Sequence, residues 1–249
     1  MSYVIDFTGR YEELNYLLRL RGTSSGIIDL ANNNITNHNV DYSSTPSTLG
    51  SGTALKFNGT SSYLELKIKE DLLKNEDFTI SIQAVDKGLY RSDSINPYFD
   101  SRYTNSQNIY GINGGIHFSI YNEPSYYSPD HYIFIDANRY STSAYYSQQF
   151  STTQLIKNKA KYHVALVNHN GKLSVAIDGI FCPEHLVPTM DKVHDHTLPI
   201  YIGYYGITSV QYKYADYTID DFCIIKGKAL WVNNFKPPHK YLPDYWLVE

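Results

Sequence analysis

At 249 residues, 42% of them hydrophobic and only 18% charged, the chain has the length of one large domain or two ordinary ones, and all-β sandwiches of this length are commonly single. A formal net charge of −4 without any run of Lys or Arg excludes an electrostatic case for nucleic acid as a partner. No apolar run approaches the ~20 residues of a membrane helix, and Met1-Ser-Tyr-Val-Ile-Asp-Phe7 lacks the basic-then-apolar order of a secretory signal. Neither membrane insertion nor signal-directed export is therefore expected.

Taken in order, the chain opens with an arm over residues 1–15. The first alternating run follows at Tyr16-Leu-Leu-Arg-Leu-Arg21. Ala54–Phe57 and Tyr63–Leu66 are predicted strands joined by Asn58-Gly-Thr-Ser-Ser62, a loop of turn formers. Phe78–Val85 alternates cleanly, with Phe78, Ile80 and Ile82 on one face. Gly115–Tyr121 and Tyr132–Asp136 come next. Tyr162–Asn168 and Lys172–Asp178 flank Asn170-Gly171, the strongest short-range hairpin signal in the sequence. Ile200–Gly203 and Tyr217–Ile225 complete the set.

Helix is confined to a possible turn or two at Lys69–Asn75 and Gly227–Val232. No strand–helix–strand alternation supports a parallel sheet. The expected core holds Phe78, Ile80, Ile82, Val164, Leu166, Ile219 and Phe222. The last two differ in parity, so a regular strand cannot turn both inward. Residues 89–150 stand apart as a Tyr-rich insert carrying eleven of the 25 tyrosines. The ending Tyr241–Val248 is too apolar for a free tail. Cys182 and Cys223 lack metal-type spacing and read as two free buried thiols.

The order of these pieces resembles the concanavalin A-like, laminin-G-type domain family. The resemblance rests on Leu17-Leu-Arg-Leu20 with the Asp29–Asn34 turn, and on Gly52-Thr-Ala-Leu-Lys-Phe-Asn-Gly-Thr-Ser-Ser-Tyr-Leu64. Asp77–Ile80, His163–Val167, Ala176-Ile-Asp-Gly179, Ile219-Asp-Asp221 and Asn234-Phe-Lys-Pro-Pro238 continue it in order. Gln83 and Tyr162 stand where the family usually has Trp. The resemblance implies a two-sheet antiparallel jelly roll over residues 16–238, between the arm (1–15) and a tail (239–249). Modules ending in Asn-Phe-x-Pro-Pro resemble those of bacteriophage virion and tail proteins and of bacterial surface proteins. With no export signal expected, a virion location comes first and a bacterial cell surface second.

Catalysis finds little footing. Glycoside hydrolysis on this fold needs two carboxylates on one strand face, whereas Asp220 and Asp221 are adjacent and point to opposite faces of a regular strand. No hydrolase activity is expected. No cofactor is expected either, apart from calcium, which the resemblance associates with the sandwich rim; Asp29, Asn32 and Asn34 would supply oxygens there, although such loops are also ordinary turns. His194 and His196 form a His-x-His pair lacking further zinc ligands. Sugar recognition needs an aromatic face beside planar hydrogen-bonding groups. Tyr98, Tyr103, Tyr110, Tyr126, Tyr127, Tyr140, Tyr145 and Tyr146, set among Asn105 and Asn108, offer both. The same composition suits a protein interface. The expected role is thus non-enzymatic glycan binding on a phage particle, as a tail-fibre or decoration component in host attachment. The expected partners are a cell-surface glycan and other virion proteins, in a homo- or hetero-oligomer. The alternatives are a purely structural virion subunit and a bacterial carbohydrate-binding module.

Overall fold

The computed structural model describes residues 10–47, 49, 52–86, 95–100, 103–104, 112–113, 115–121, 131–141, 144–156, 161–188, 191–204, 214–240, 242 and 245–248. Residues 10–12, 85–86, 184, 245–248 and those between 95 and 156 are described by backbone alone. Two large antiparallel sheets face each other. One runs in the order Ala144–Ile156, His131–Ser141, Gly115–Tyr121, Ile95–Asp100, Ile200–Ile202, Tyr63–Leu66, Ile35–His38. The other runs Ile180–Leu186, Lys172–Ile177, Lys161–His169, Phe78–Asp86, Tyr217–Lys226, Asn15–Thr23, Gly26–Asp29, with Leu55–Lys56 pairing beside Tyr217–Lys226. This is an all-β sandwich, as the alternating runs imply. Among the described residues there is no helix, and none long and apolar enough to cross a membrane.

The expected helical turns are absent. Leu72–Leu73 is instead a short strand paired with Lys192–His194. Gly227–Val232 is held irregular by the sheet beneath it, where Thr79 Oγ1 donates to the Lys228 carbonyl at 3.0 Å and accepts from Leu230 N at 3.0 Å. Isolated single turns are marginal in water, so external hydrogen bonds decide their shape.

All seven expected core residues are buried, and all lie in the cluster between the sheets. A β-bulge between Ile219 and Asp221 resolves the parity conflict: one extra residue lets Ile219 and Phe222 face the same core. The bulge also alters the expected opposition of Asp220 and Asp221, both of which are buried. Both hairpins close on paired positive-φ residues, Asn170 and Gly171 at 51° and 74°, and Asp178 and Gly179 at 49° and 80°. Cys182 and Cys223 are both buried and are not joined by a disulfide.

A second, smaller core covers the other face of the larger sheet. Leu14, Ala165, Val167, Cys223 and Ile225 pack there under Leu230, Trp231 and Leu242. Trp231 stacks on Phe235 at 4.1 Å, and His163 meets both rings edge-on. Polar staples hold this C-terminal strap: Gln83 Nε2 donates to the Pro238 carbonyl at 2.9 Å, Arg19 Nη2 to the Leu242 carbonyl, and Phe235 N to the Gly179 carbonyl at 2.8 Å. A Cβ on Gly179 would stand 1.9 Å from the Phe235 carbonyl oxygen. Gly179→Ala should therefore displace the strap and strain a φ of +80°. The expected result is a cost of roughly 2–4 kcal/mol, combining backbone strain with lost packing. Urea unfolding measures it, and a cost near zero would mean the strap is not docked.

The apolar tail docks as expected through Leu242. Beyond it, Tyr245–Val248 pairs antiparallel with Arg10–Glu13. The strand at the end of the arm is thus paired with the tail of the same chain. Residues 1–9 lie outside the described ones. Within the Tyr-rich stretch, Ile95–Asp100, Gly115–Tyr121, His131–Ser141 and Ala144–Ile156 supply four of the seven strands of the first sheet.

Candidate functional site

Among the described residues, a cluster of aromatic and polar side chains lies on the outward face of the seven-stranded sheet. Strand Tyr63–Leu66 sends Leu64 and Leu66 into the core and leaves Tyr63 and Glu65 half-buried on the other side. The turn before it is pinned by Asn58, whose Oδ1 accepts from the backbone N–H groups of Thr60, Ser61 and Ser62 at 2.9–3.1 Å. Neighbouring strands register Thr36 and Tyr201 on either side of Glu65, and His38 opposite Tyr63.

An aromatic terrace results. The His38 ring stacks on Tyr63 at 4.0 Å and 8°. Tyr204, Tyr214 and Tyr201 surround the same ring at 4.9, 6.1 and 6.2 Å. Gly203 positions the far side: its φ of +79° turns the chain directly over Phe57, where a Cβ would lie 2.3 Å from the ring. The turn delivers Tyr204 to its bridge with Tyr214. Partial burial, with Glu65 and Tyr214 nearby, raises the Tyr63 hydroxyl above the ordinary tyrosine value, so it stays a protonated donor.

Beside the terrace is a depression of about 330 Å³, bordered by Asn32, Asn34, Thr36, Glu65, Lys67 and Lys69. Asp29 builds its loop wall. Its Oδ1 accepts from Arg19 N at 2.8 Å and Ala31 N at 3.1 Å, and its Oδ2 from Asn33 N at 2.8 Å and Asn33 Nδ2 at 2.6 Å. Asn32 takes the left-handed conformation at φ 58°, which leaves the Asn32 and Asn34 side chains exposed. Of the three calcium-ligand candidates, Asn32 and Asn34 thus border the depression. Asp29 does not; its carboxylate is engaged by the chain's own N–H groups.

Tyr98, Tyr103, Tyr140, Tyr145 and Tyr146 fall on strands described by backbone, with Tyr140 paired to Tyr145. Tyr110, Tyr126, Tyr127, Asn105 and Asn108 lie outside the described residues. Strand Ile95–Asp100 nevertheless adjoins the terrace, since Asp100 pairs with Tyr201. The terrace residues themselves were missed. The available signal was parity: Tyr63 and Tyr201 each alternate with core residues, which leaves their rings on the opposite face.

The His-x-His pair is split. His194 is fully buried, with no hydrogen-bond partner at either ring nitrogen among the described residues, while His196 is exposed and bonds Asp71 Oδ1 through Nδ1 at 2.7 Å. Asp71, Asp195 and His196 place ligand-type atoms within 4.8 Å of one another. Lys192 already bridges the two carboxylates at 2.8 and 3.1 Å. Although partial burial opposes it, the Lys192 ammonium and the His196 N–H groups hold the Asp71 carboxyl well below the usual range. The cluster is a salt-bridged clasp between Leu72–Leu73 and Lys192–His194. Asp221, the other acidic candidate, is buried within 4.0 Å of Arg21 Nε, away from the open face.

No protein-family model matches the sequence, and no curated protein does. Solved structures match its shape. The botulinum neurotoxin serotype D binding domain superposes at a TM-score of 0.56 with 16% identity, covering 87% of this chain and 49% of that one. The chain thus spans about half the length of that binding domain. A domain of an extracellular arabinanase from Geobacillus stearothermophilus, solved with arabinotriose, gives 0.52 at 16% identity over 87% of this chain and 94% of that one. The carbohydrate esterase of Shiga toxin-encoding bacteriophage phi24B gives 0.54 at 14% identity over 86% and 100%. At these identities the likeness establishes the β-sandwich fold.

Proposed function

We propose that this chain is a non-enzymatic, lectin-like protein of a bacteriophage particle that holds a host-surface glycan on the outward face of its seven-stranded sheet. The observation that carries the reading is the contact of an aromatic terrace with a depression edged by amides, a hydroxyl and a carboxylate. Aromatic faces stack on the C–H side of a sugar ring while amides and carboxylates bond its hydroxyls. Support for sugar as the ligand class comes from the arabinotriose-bound sandwich of similar shape. Support for the particle comes from the phage esterase of similar shape and from the virion-type C-terminal motif. Other virion proteins are the partners expected to hold the chain there.

A glycan array followed by titration calorimetry on the full chain tests the reading. Tyr63→Ala is expected to weaken binding about tenfold or more, since it removes the ring on which His38 stacks and three tyrosines converge. Tyr63→Phe should keep most of the affinity. With Asp29 committed to the loop, chelator should leave affinity unchanged, and no reducing sugar should be released. An array without any bound glycan, or a Tyr63→Ala protein that binds like the wild type, would sink the proposal.

A further inference from the structure

We infer that the depression beside the terrace selects a sugar bearing a carboxylate, so that the bound glycan is acidic. The inference rests on the glycan-binding reading and names the ligand class at that same site. From residue 63 to 69 the chain keeps strict alternation. Leu64, Leu66 and Ile68 are buried, while Tyr63, Glu65, Lys67 and Lys69 line up on the outward side. The line grades from aromatic to basic.

The charges along it are not equivalent. Glu65 faces the terrace, with one oxygen 3.7 Å from His38 Nε2. Lys67 and Lys69 are exposed at the depression, and among the described residues no carboxylate pairs with either. Lys69 Nζ donates to the Ala31 carbonyl at 2.9 Å, which fixes the ammonium at the asparagine loop. A carbonyl takes only one of its three N–H donors. Two cations beside the exposed Asn32 and Asn34 amides form a donor-rich corner suited to one anionic group. Glu65 disfavours a densely charged polyanion, because like charges within a few ångströms repel. A single carboxylate on an otherwise hydroxylated ring, as in a uronic or sialic acid, meets both conditions. Its neutral face, or that of the adjoining sugar, then rests on the Tyr63 terrace.

The test compares sialyllactose with lactose, and trigalacturonic acid with its carboxyl-reduced form, by titration calorimetry on the full chain. At least one acidic ligand should bind about tenfold more tightly than its neutral counterpart, the size two exposed charge pairs support. That margin should shrink as salt rises, because exposed pairs are screened. The Lys67→Gln/Lys69→Gln double variant should lose the margin, and Lys67→Arg/Lys69→Arg should keep it. Both positions are exposed, and matching circular dichroism confirms the fold. Equal binding of acidic and neutral ligands by the wild type overturns the inference while glycan binding stands. A margin that survives in the Gln variant also overturns it. If neither class binds here or on the array, the glycan reading itself fails and this inference falls with it.

Discussion

Acidification from pH 7 to pH 4 is expected to destabilise the folded chain by about 4 kcal/mol before most surface carboxylates titrate. Two buried histidines drive the loss. Burial pushes His163 down to about 3 and His194 to about 4, against an ordinary value of 6.5. His163 sits beneath Trp231 and Phe235 with Ser81 Oγ bonded to its ring, and His194 has no hydrogen-bond partner at its ring among the described residues. Both groups are neutral when folded and take up a proton when unfolded. Their folded values are depressed, so each costs stability as pH falls below 6.5, at about 1.4 kcal/mol per pH unit until its folded value is reached. Asp221 opposes them. Burial raises it to about 6 despite Arg21 and Arg19, so its ionisation destabilises the fold as pH rises, and protonation relieves this between about 6 and 4. Net of that relief, a slope near 1.4 kcal/mol per unit remains in the window. Asp41, lowered to about 2 by Ser44 and Ser43, acts below it. Urea unfolding at pH 7, 6, 5 and 4 measures the slope. A His163→Gln/His194→Gln variant whose curve parallels the wild type across this range would falsify the assignment.

Truncating Phe57 to Ala is expected to cost about 3–5 kcal/mol. The ring is fully buried, meets Tyr217 at 5.1 Å, and its backbone N–H donates to the Tyr217 carbonyl at 2.9 Å. Its other side lies against Gly203, so the residue joins the core of the sandwich to the turn that carries Tyr204 onto the terrace. The substitution should lower the urea midpoint without altering the slope of the transition. It should also loosen the terrace, weakening glycan binding more than a distant core truncation of equal cost, such as Leu173→Ala. A loss of less than 1 kcal/mol, or equal binding by the two variants, would show that Phe57 does not support the site.

Alternation within single segments was legible before any tertiary contact. Phe78, Ile80 and Ile82 share a face because side chains repeat every two residues, and the core followed from that rule. Asn170-Gly171 marked its hairpin because both residues tolerate positive φ. The apolar tail announced that it had to be covered, and Leu242 is. What the sequence left open were relations between segments. A bulge decided that Ile219 and Phe222 share one core, since an extra residue in one strand is visible only against its partner. Strand order decided that the Tyr-rich stretch completes a sheet. It also gathered His38, Tyr63, Tyr201, Tyr204 and Tyr214 from three distant parts of the chain, and set Lys67 and Lys69 against the Asn32–Asn34 loop. A period of two tells each side chain which face it occupies. Which strand lies beside it is set by pairing between remote segments, and that information exists only once the sheets have formed.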